Sequence, residues 1–142
     1  MADTKYGKYI ITDLKKKFDS PYETKFRPEE QTEILLLDGD VLQGAFVVEA
    51  VWFWPERVNR TEDDVVSHAH DYDEVLALFG TNMDDPHDLG GECEAWLDDE
   101  KHIITKSCFI FIPKGLMHGP FKFTKMERPV FHFIVALTNK YS

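Results

Sequence analysis

Residues 67–80 read S-H-A-H-D-Y-D-E-V-L-A-L-F-G, from Ser67 to Gly80. Val65 and Val66 precede this stretch, and Val75-Leu76-Ala77-Leu78-Phe79 sits inside it, so both flanks have the pattern of buried strand. His68 and His70 are two residues apart. On an extended chain they share a face, about 6–7 Å apart along the strand, and can turn their ring nitrogens toward one point. Glu74 has the same parity and can add an oxygen if the chain bends at Asp71-Tyr72-Asp73. Imidazole nitrogens with a carboxylate suit a divalent transition metal.

Working outward, the apolar run Phe109-Ile110-Phe111-Ile112 stops at Pro113 and is followed by Lys114-Gly115-Leu116-Met117-His118. Proline and glycine at this spacing predict a tight turn. It sets His118 at the start of the next strand, free to face back into the core.

With these two stretches the chain resembles the cupin superfamily. The first cupin motif places H-x-H, a short spacer, glutamate, a longer spacer and glycine, and here finds His68, His70, Glu74 and Gly80, one residue short before the glycine. The second places P-x-G-x-x-H on Pro113, Gly115 and His118. Glu62 and Ser107 stand where the two motifs open on glycine, and Lys122 where the second closes on asparagine. Those positions shape turns and do not ligate metal. The resemblance implies an all-β fold, a double-stranded β-helix or jelly-roll barrel. It also implies one mononuclear metal bound by His68, His70, Glu74 and His118. Iron, manganese, nickel and zinc all accept that donor set, and three nitrogens with one oxygen leave one or two positions open. A member of this kind is expected to be a small-molecule enzyme of dioxygenase, isomerase or lyase type. The alternatives are a non-catalytic cupin that binds or senses a small ligand, and a storage-type barrel without metal.

The remaining sequence is consistent with one barrel over residues 34–142 and an N-terminal arm over 1–33. The arm is polar and charged. Tyr9-Ile10-Ile11 has the makings of a short strand, and Asp13 to Phe18 those of a helical turn with a solvated lysine face. Pro21 and Pro28 break regular structure, and the arm is expected to pack outside the barrel or on a partner. Strands are expected at Glu33–Leu37, Gln43–Trp54, Glu92–Leu97, His102–Thr105, Phe109–Pro113, His118–Phe123 and Pro129–Leu137. The second of these is apolar on both faces, with Trp52 and Trp54 on one and Glu49 alone among Val47, Val51 and Phe53 on the other. A strand covered on both sides predicts a homodimer. Asp63-Asp64 belong to a charged loop and are expected to be solvated.

A pocket lined by Phe79, Phe109, Phe111, Phe121 and Trp52 or Trp54 is expected, with Tyr72 and Lys122 as polar contributors, and it favours an aromatic or hydrophobic ligand. His132 is either a satisfied core residue or a pocket residue near the metal. The loop Asp84-Asp85-Pro86-His87-Asp88 is expected to be plain loop rather than a second metal site or a lid carrying His87.

The chain has 142 residues, of which 43% are hydrophobic, enough for one packed core. A formal net charge of −10 argues against nucleic acid or an anionic membrane as a partner. No apolar run is long enough to cross a bilayer, and the first residues lack the apolar segment of a signal peptide. The two cysteines, Cys93 and Cys108, are not in a C-x-x-C pair. The protein is therefore expected in the cytoplasm with reduced thiols.

Overall fold

The computed structural model describes residues 4–23, 25–62 and 65–142. The expectation for Asp63-Asp64 lies outside the described residues. Eight strands form two antiparallel sheets: β1 (Gln31–Leu37), β2 (Val47–Phe53), β3 (Glu74–Phe79), β4 (Asp88–Leu97), β5 (Glu100–Lys106), β6 (Cys108–Ile112), β7 (His118–Met126) and β8 (Val130–Ala136). One sheet runs β1-β2-β8-β3-β6 and the other β5-β4-β7. The only helical pieces among the described residues are two short 3-10 turns, Gly7–Tyr9 and Pro55–Asn59. The fold is all-β, a jelly-roll sandwich.

Period-two alternation decides which side chains meet inside. On β2, Val47, Val51 and Phe53 are buried and point inward with Glu49. On β8, Val130, Ile134 and Ala136 point inward with His132 between them, and on β6 Ile110 and Ile112 do so. The shorter sheet adds Leu89, Cys93 and Ala95 from β4, and Phe123 from β7. The intervening residues face out. Phe109 is 65% exposed and Phe111 59%.

Several elements differ from expectation, each for a local reason. The second strand begins at Val47 rather than Gln43, because Asp38 accepts the backbone N–H groups of Asp40 and Val41 in a turn and Gly44 has φ +90°. The fourth begins at Asp88 rather than Glu92, and so takes in Gly90 and Gly91. A Cβ on Gly91 would strike the Lys125 carbonyl of β7, and the register shifts next to it, between Glu92 and Cys93. Residues 13–18 form no helix. Lys16 instead pairs with Asp38 at 2.7 Å and Asp40 at 3.0 Å, and the Phe18 N–H donates to Glu33 at 2.9 Å. Tyr9-Ile10-Ile11 finds no strand partner, and Ile10 is exposed. Val65-Val66 belongs to no strand among the described residues: Val65 bridges Glu23, and beyond it His68 bridges His118.

Those bridges extend the shorter sheet. His68 and His118 exchange both backbone hydrogen bonds, at 2.9 and 2.8 Å, and the Val66 N–H donates to Tyr22 O at 3.0 Å. The segment 22–23 thus lies alongside 65–68, which lies alongside β7. A buried ion pair fixes the approach of the preceding chain. Glu30, 2% exposed, accepts Arg60 at 2.8 Å, and Arg57 and Arg60 both stack over Phe26.

Gly80 closes β3 where no side chain fits, because a Cβ there would overlap the Asp88 carbonyl oxygen and crowd Leu89 Cα. Gly80→Ala is expected to cost about 3 kcal/mol through a forced backbone shift. The urea midpoint measures it, and an unchanged midpoint would mean that the two chains part without strain.

Candidate metal centre

Two loops bring the chemistry-bearing residues together. Leu116 N–H donates to Pro113 O at 3.1 Å, closing a turn with Gly115 at its third position and φ +86°, a conformation that favours glycine. The same turn is tied to the segment carrying His68 and His70. Gly115 N–H donates to His70 O, and Lys114 N–H to the Asp73 carboxylate, both at 2.9 Å. The two motifs are therefore stitched backbone to backbone, and His118 enters β7 facing His68.

Each imidazole is oriented by its own Nδ1. His68 Nδ1–H donates to Val66 O at 2.7 Å, His70 Nδ1–H to Ser142 O at 2.8 Å, and His118 Nδ1–H to Leu116 O at 2.9 Å. Three rings held this way carry their lone pairs on Nε2, the atom that would ligate an ion. The three residues offer ligand atoms within 4.8 Å of one another, and His68 Nε2 lies 3.1 Å from His70 Nε2. Glu74, at the start of β3, reaches the same place: Oε1 is 3.4 Å from His118 Nε2 and 3.8 Å from His70 Nε2. Its Oε2 is buried with no hydrogen-bond partner among the described residues.

This arrangement is unfavourable by itself and fits a cation. Two facing lone pairs repel, and a buried carboxylate oxygen without a partner carries a desolvation cost of several kcal/mol. A separation near 3.0 Å is what two donors at right angles show on an ion with bonds of about 2.1 Å. Burial also pushes the His68 pKa down to about 4 and lowers that of His70, so both rings are neutral at pH 7, the form that ligates metal. The donor set suits a divalent metal ion.

A cavity of about 60 Å³ adjoins His68, Glu74 and His118, room for on the order of four or five water-sized groups. Its walls are apolar, with Val51, Leu76 and Ile134 among them, and its polar residues include Glu49, Arg57, His132 and Tyr141. A surface groove bordered by Phe18 and Phe26 shares Glu23, Gln31 and Glu49 with it. Burial pushes the Glu49 carboxyl well above its usual range, helped by a hydrogen bond that its protonated form donates to the Glu33 side chain. Arg57 donates to Gln31 Oε1 at 2.6 Å beside it.

His132 lines this cavity, stacked on Phe53 at 4.7 Å, with Nδ1–H donated to Ala77 O at 2.8 Å. Tyr72 is buried, its hydroxyl near His70 Nδ1 and Ser142 O, both at 3.0 Å. The aromatic pocket expected from sequence is different in kind. Phe79, Phe109, Trp52 and Trp54 pack with Phe131 and Phe133 on the outer face of the longer sheet, and Phe111 is exposed. Of the expected aromatics only Phe121 reaches the cavity, joined by Phe53, Phe123 and Tyr141. The inward parity of β6 belongs to Ile110 and Ile112, which turns both its phenylalanines outward. The argument for an aromatic ligand goes with them. Lys122 and His87 are exposed and contribute nothing to the site.

Burial, assisted by the Arg57 charge, lowers the pKa of His132 from 6.5 to about 4. Unfolding restores the ordinary value, so between pH 6.5 and 4 the unfolded chain binds the extra proton and stability falls as pH falls. The contribution of His132 approaches ~3 kcal/mol at the acid end, and His68 acts in the same direction. Urea midpoints measured across this window should decline, and His132→Gln should flatten the decline. An equally steep decline in that variant would remove His132 from the account.

Sequence comparison is silent: no family model matches the chain and no curated protein matches it. Structures do match. Oxalate oxidase in complex with the substrate analogue glycolate superposes with a TM-score of 0.56 at 15% identity, covering 100% of this chain and 65% of that one. A KdgF from Halomonas sp. gives 0.44 at 15% identity, covering 80% and 84% of the two chains. An RmlC-like cupin from Shewanella frigidimarina gives 0.46 at 13% identity, covering 87% and 91%. The chain spans about two thirds of the oxalate oxidase chain. With two jelly-roll sheets, a three-histidine cluster and a likeness in fold to the oxalate oxidase, the chain has the cupin fold.

Proposed function

We propose that this protein binds one divalent transition metal through His68, His70, Glu74 and His118 and acts on a small molecule held in the adjoining cavity. The observation that carries the proposal is the tautomer lock. Three Nδ1–H groups are committed to backbone carbonyls, and three Nε2 atoms gather beside a buried carboxylate with an unpartnered oxygen. Iron, manganese, nickel or zinc would each satisfy these donors. When bound, such an ion supplies Lewis-acid activation of a ligand oxygen, and in the case of iron or manganese also access to dioxygen.

The chain's own residues define the rest. The cavity admits only a small ligand, and its walls are largely apolar. The groove beside Phe18 and Phe26 supplies a route in, past Glu23 and Glu49. Glu49, whose carboxyl burial pushes well above its usual range, lines the ligand space together with His132. A buried acid and a metal on one cavity favour an enzyme of dioxygenase, isomerase or lyase type over a non-catalytic binding module. The test is turnover by protein reconstituted with each metal, against a panel of small hydroxy-, keto- and carboxy-compounds with oxygen uptake followed in parallel. Consumption of one compound supports the enzyme. Saturable binding without conversion supports the binding module instead.

The outer aromatic face of β2, β8, β3 and β6 supports a homodimer, since an exposed patch of this size and composition on a sheet is what a subunit interface covers. Sedimentation at micromolar concentration should give twice the chain mass, and a monomer would contradict it. Free Cys93 and Cys108 are in keeping with a reducing, cytoplasmic setting. No helix among the described residues is long and apolar enough to cross a membrane.

A further inference from the structure

Neither motif predicts Tyr141, yet its hydroxyl lies 3.0 Å from His70 Nε2. That nitrogen is the one turned toward the metal position, because Nδ1 of the same ring donates to Ser142 O. The Tyr141 O–H donates to this lone pair at 3.0 Å, and His68 Nε2 lies 3.1 Å from it. Both separations match neighbouring positions around one ion with bonds near ~2.1 Å. The Tyr141 ring is held in place rather than swinging free. It packs on Phe18 at 4.7 Å and edge-on to His70 at 4.9 Å and Tyr72 at 6.1 Å. It also lines the same cavity as His68, Glu74 and His118.

We propose that Tyr141 is a fifth protein donor, binding the ion through its phenolate oxygen. The inference rests on the metal site proposed above. On ligation the O–H bond breaks heterolytically: oxygen keeps the electron pair and gives it to the ion, the proton passes to solvent, and nothing is oxidised or reduced. In a six-coordinate ion, five protein donors leave a single open position. The ligand class that follows is a small molecule bound to the ion through one oxygen rather than chelated through two. Tyr22 is excluded from this role by its geometry: it lies flat on His68, 3.9 Å between ring centroids and 5° between planes, so it offers a face and not an oxygen.

Ferric iron is the probe, because a phenolate bound to it gives a visible charge-transfer band with tyrosinate vibrations in resonance Raman. The unaltered protein is expected to take up one iron per chain and show the band. Tyr141→Phe should keep iron and lose the band, while Tyr72→Phe should keep both. Competition with a chelator should show zinc bound about tenfold more weakly by Tyr141→Phe. Iron bound to the unaltered protein without the band overturns the inference, whether or not the variant folds. A band that survives in Tyr141→Phe also overturns it. A protein that takes up no ion at all contradicts the metal site itself, and the inference falls with it.

Discussion

His118→Ala, and separately His68→Ala, should reduce bound metal to background while leaving the barrel folded. His118 is 2% exposed and supplies one of three gathered Nε2 atoms. Losing one ligand from a set of four typically costs far more than the 10- to 100-fold that follows loss of a supporting hydrogen bond. The fold should survive because neither histidine anchors the sheets through its side chain. The paired backbone bonds between residues 68 and 118 do that, and alanine keeps them. Metal content after dialysis, with far-ultraviolet circular dichroism on the same samples, reads both halves. Metal retained in both variants would undo the ligand assignment. His68→Ala should also make the apo protein less sensitive to acid than the parent, given the depressed pKa of His68.

The second large effect concerns stability. Glu30→Ala should destabilise the fold by about 3–5 kcal/mol, lowering the melting temperature by roughly 10 °C or more. Glu30 accepts Arg60 Nη1 at 2.8 Å, the Arg27 backbone N–H at 2.8 Å and Arg27 Nη2 at 3.4 Å, all around a carboxylate that is almost fully buried. Truncation leaves the buried Arg60 guanidinium without its closest carboxylate, with Lys25 O and the largely exposed Glu62 both at 3.3 Å. Burial alone would raise the Glu30 pKa, but the Arg27 backbone N–H and the two guanidinium groups outweigh it and hold it below its usual value. That part of the stability is present above the unfolded pKa near 4.5 and is lost as pH falls through the folded one. Thermal unfolding measures the effect. A shift of only a degree or two would mean that Arg60 finds an equivalent partner.

The gathering of the three histidines and the fold were readable in the sequence to different depths. His68, His70, Glu74 and His118 could be named because the spacing of H-x-H-x-x-x-E and P-x-G-x-x-H constrains short segments whose geometry is local. Strand identity was readable because β2, β3, β6 and β8 alternate or run apolar with period two. Strand ends were less so: Gly90 and Gly91 have loop chemistry, and only the approach of β7 explains why they sit in a strand. The cavity was misjudged where parity had no internal marker. Phe109 and Phe111 look as apolar as Ile110 and Ile112, and only pairing of Val75 with Phe111 and Leu76 with Ile110 against the inward parity of β3 sorts them. Glu49 carried a usable signal, as a lone acid at the inward parity of an apolar strand. Tyr22 and Tyr141 carried none. They reach the site through contacts 46 and 71 residues distant in sequence, Tyr22 on His68 and Tyr141 on His70.

The measurement that bears most directly on the whole account is anomalous diffraction from crystals of the metal-loaded protein at the absorption edge of the bound element. The account predicts one peak per chain, about 2.0–2.2 Å from the Nε2 atoms of His68, His70 and His118 and from a Glu74 oxygen. A loaded crystal with its peak elsewhere, or with Glu74 turned away from the ion, would contradict it.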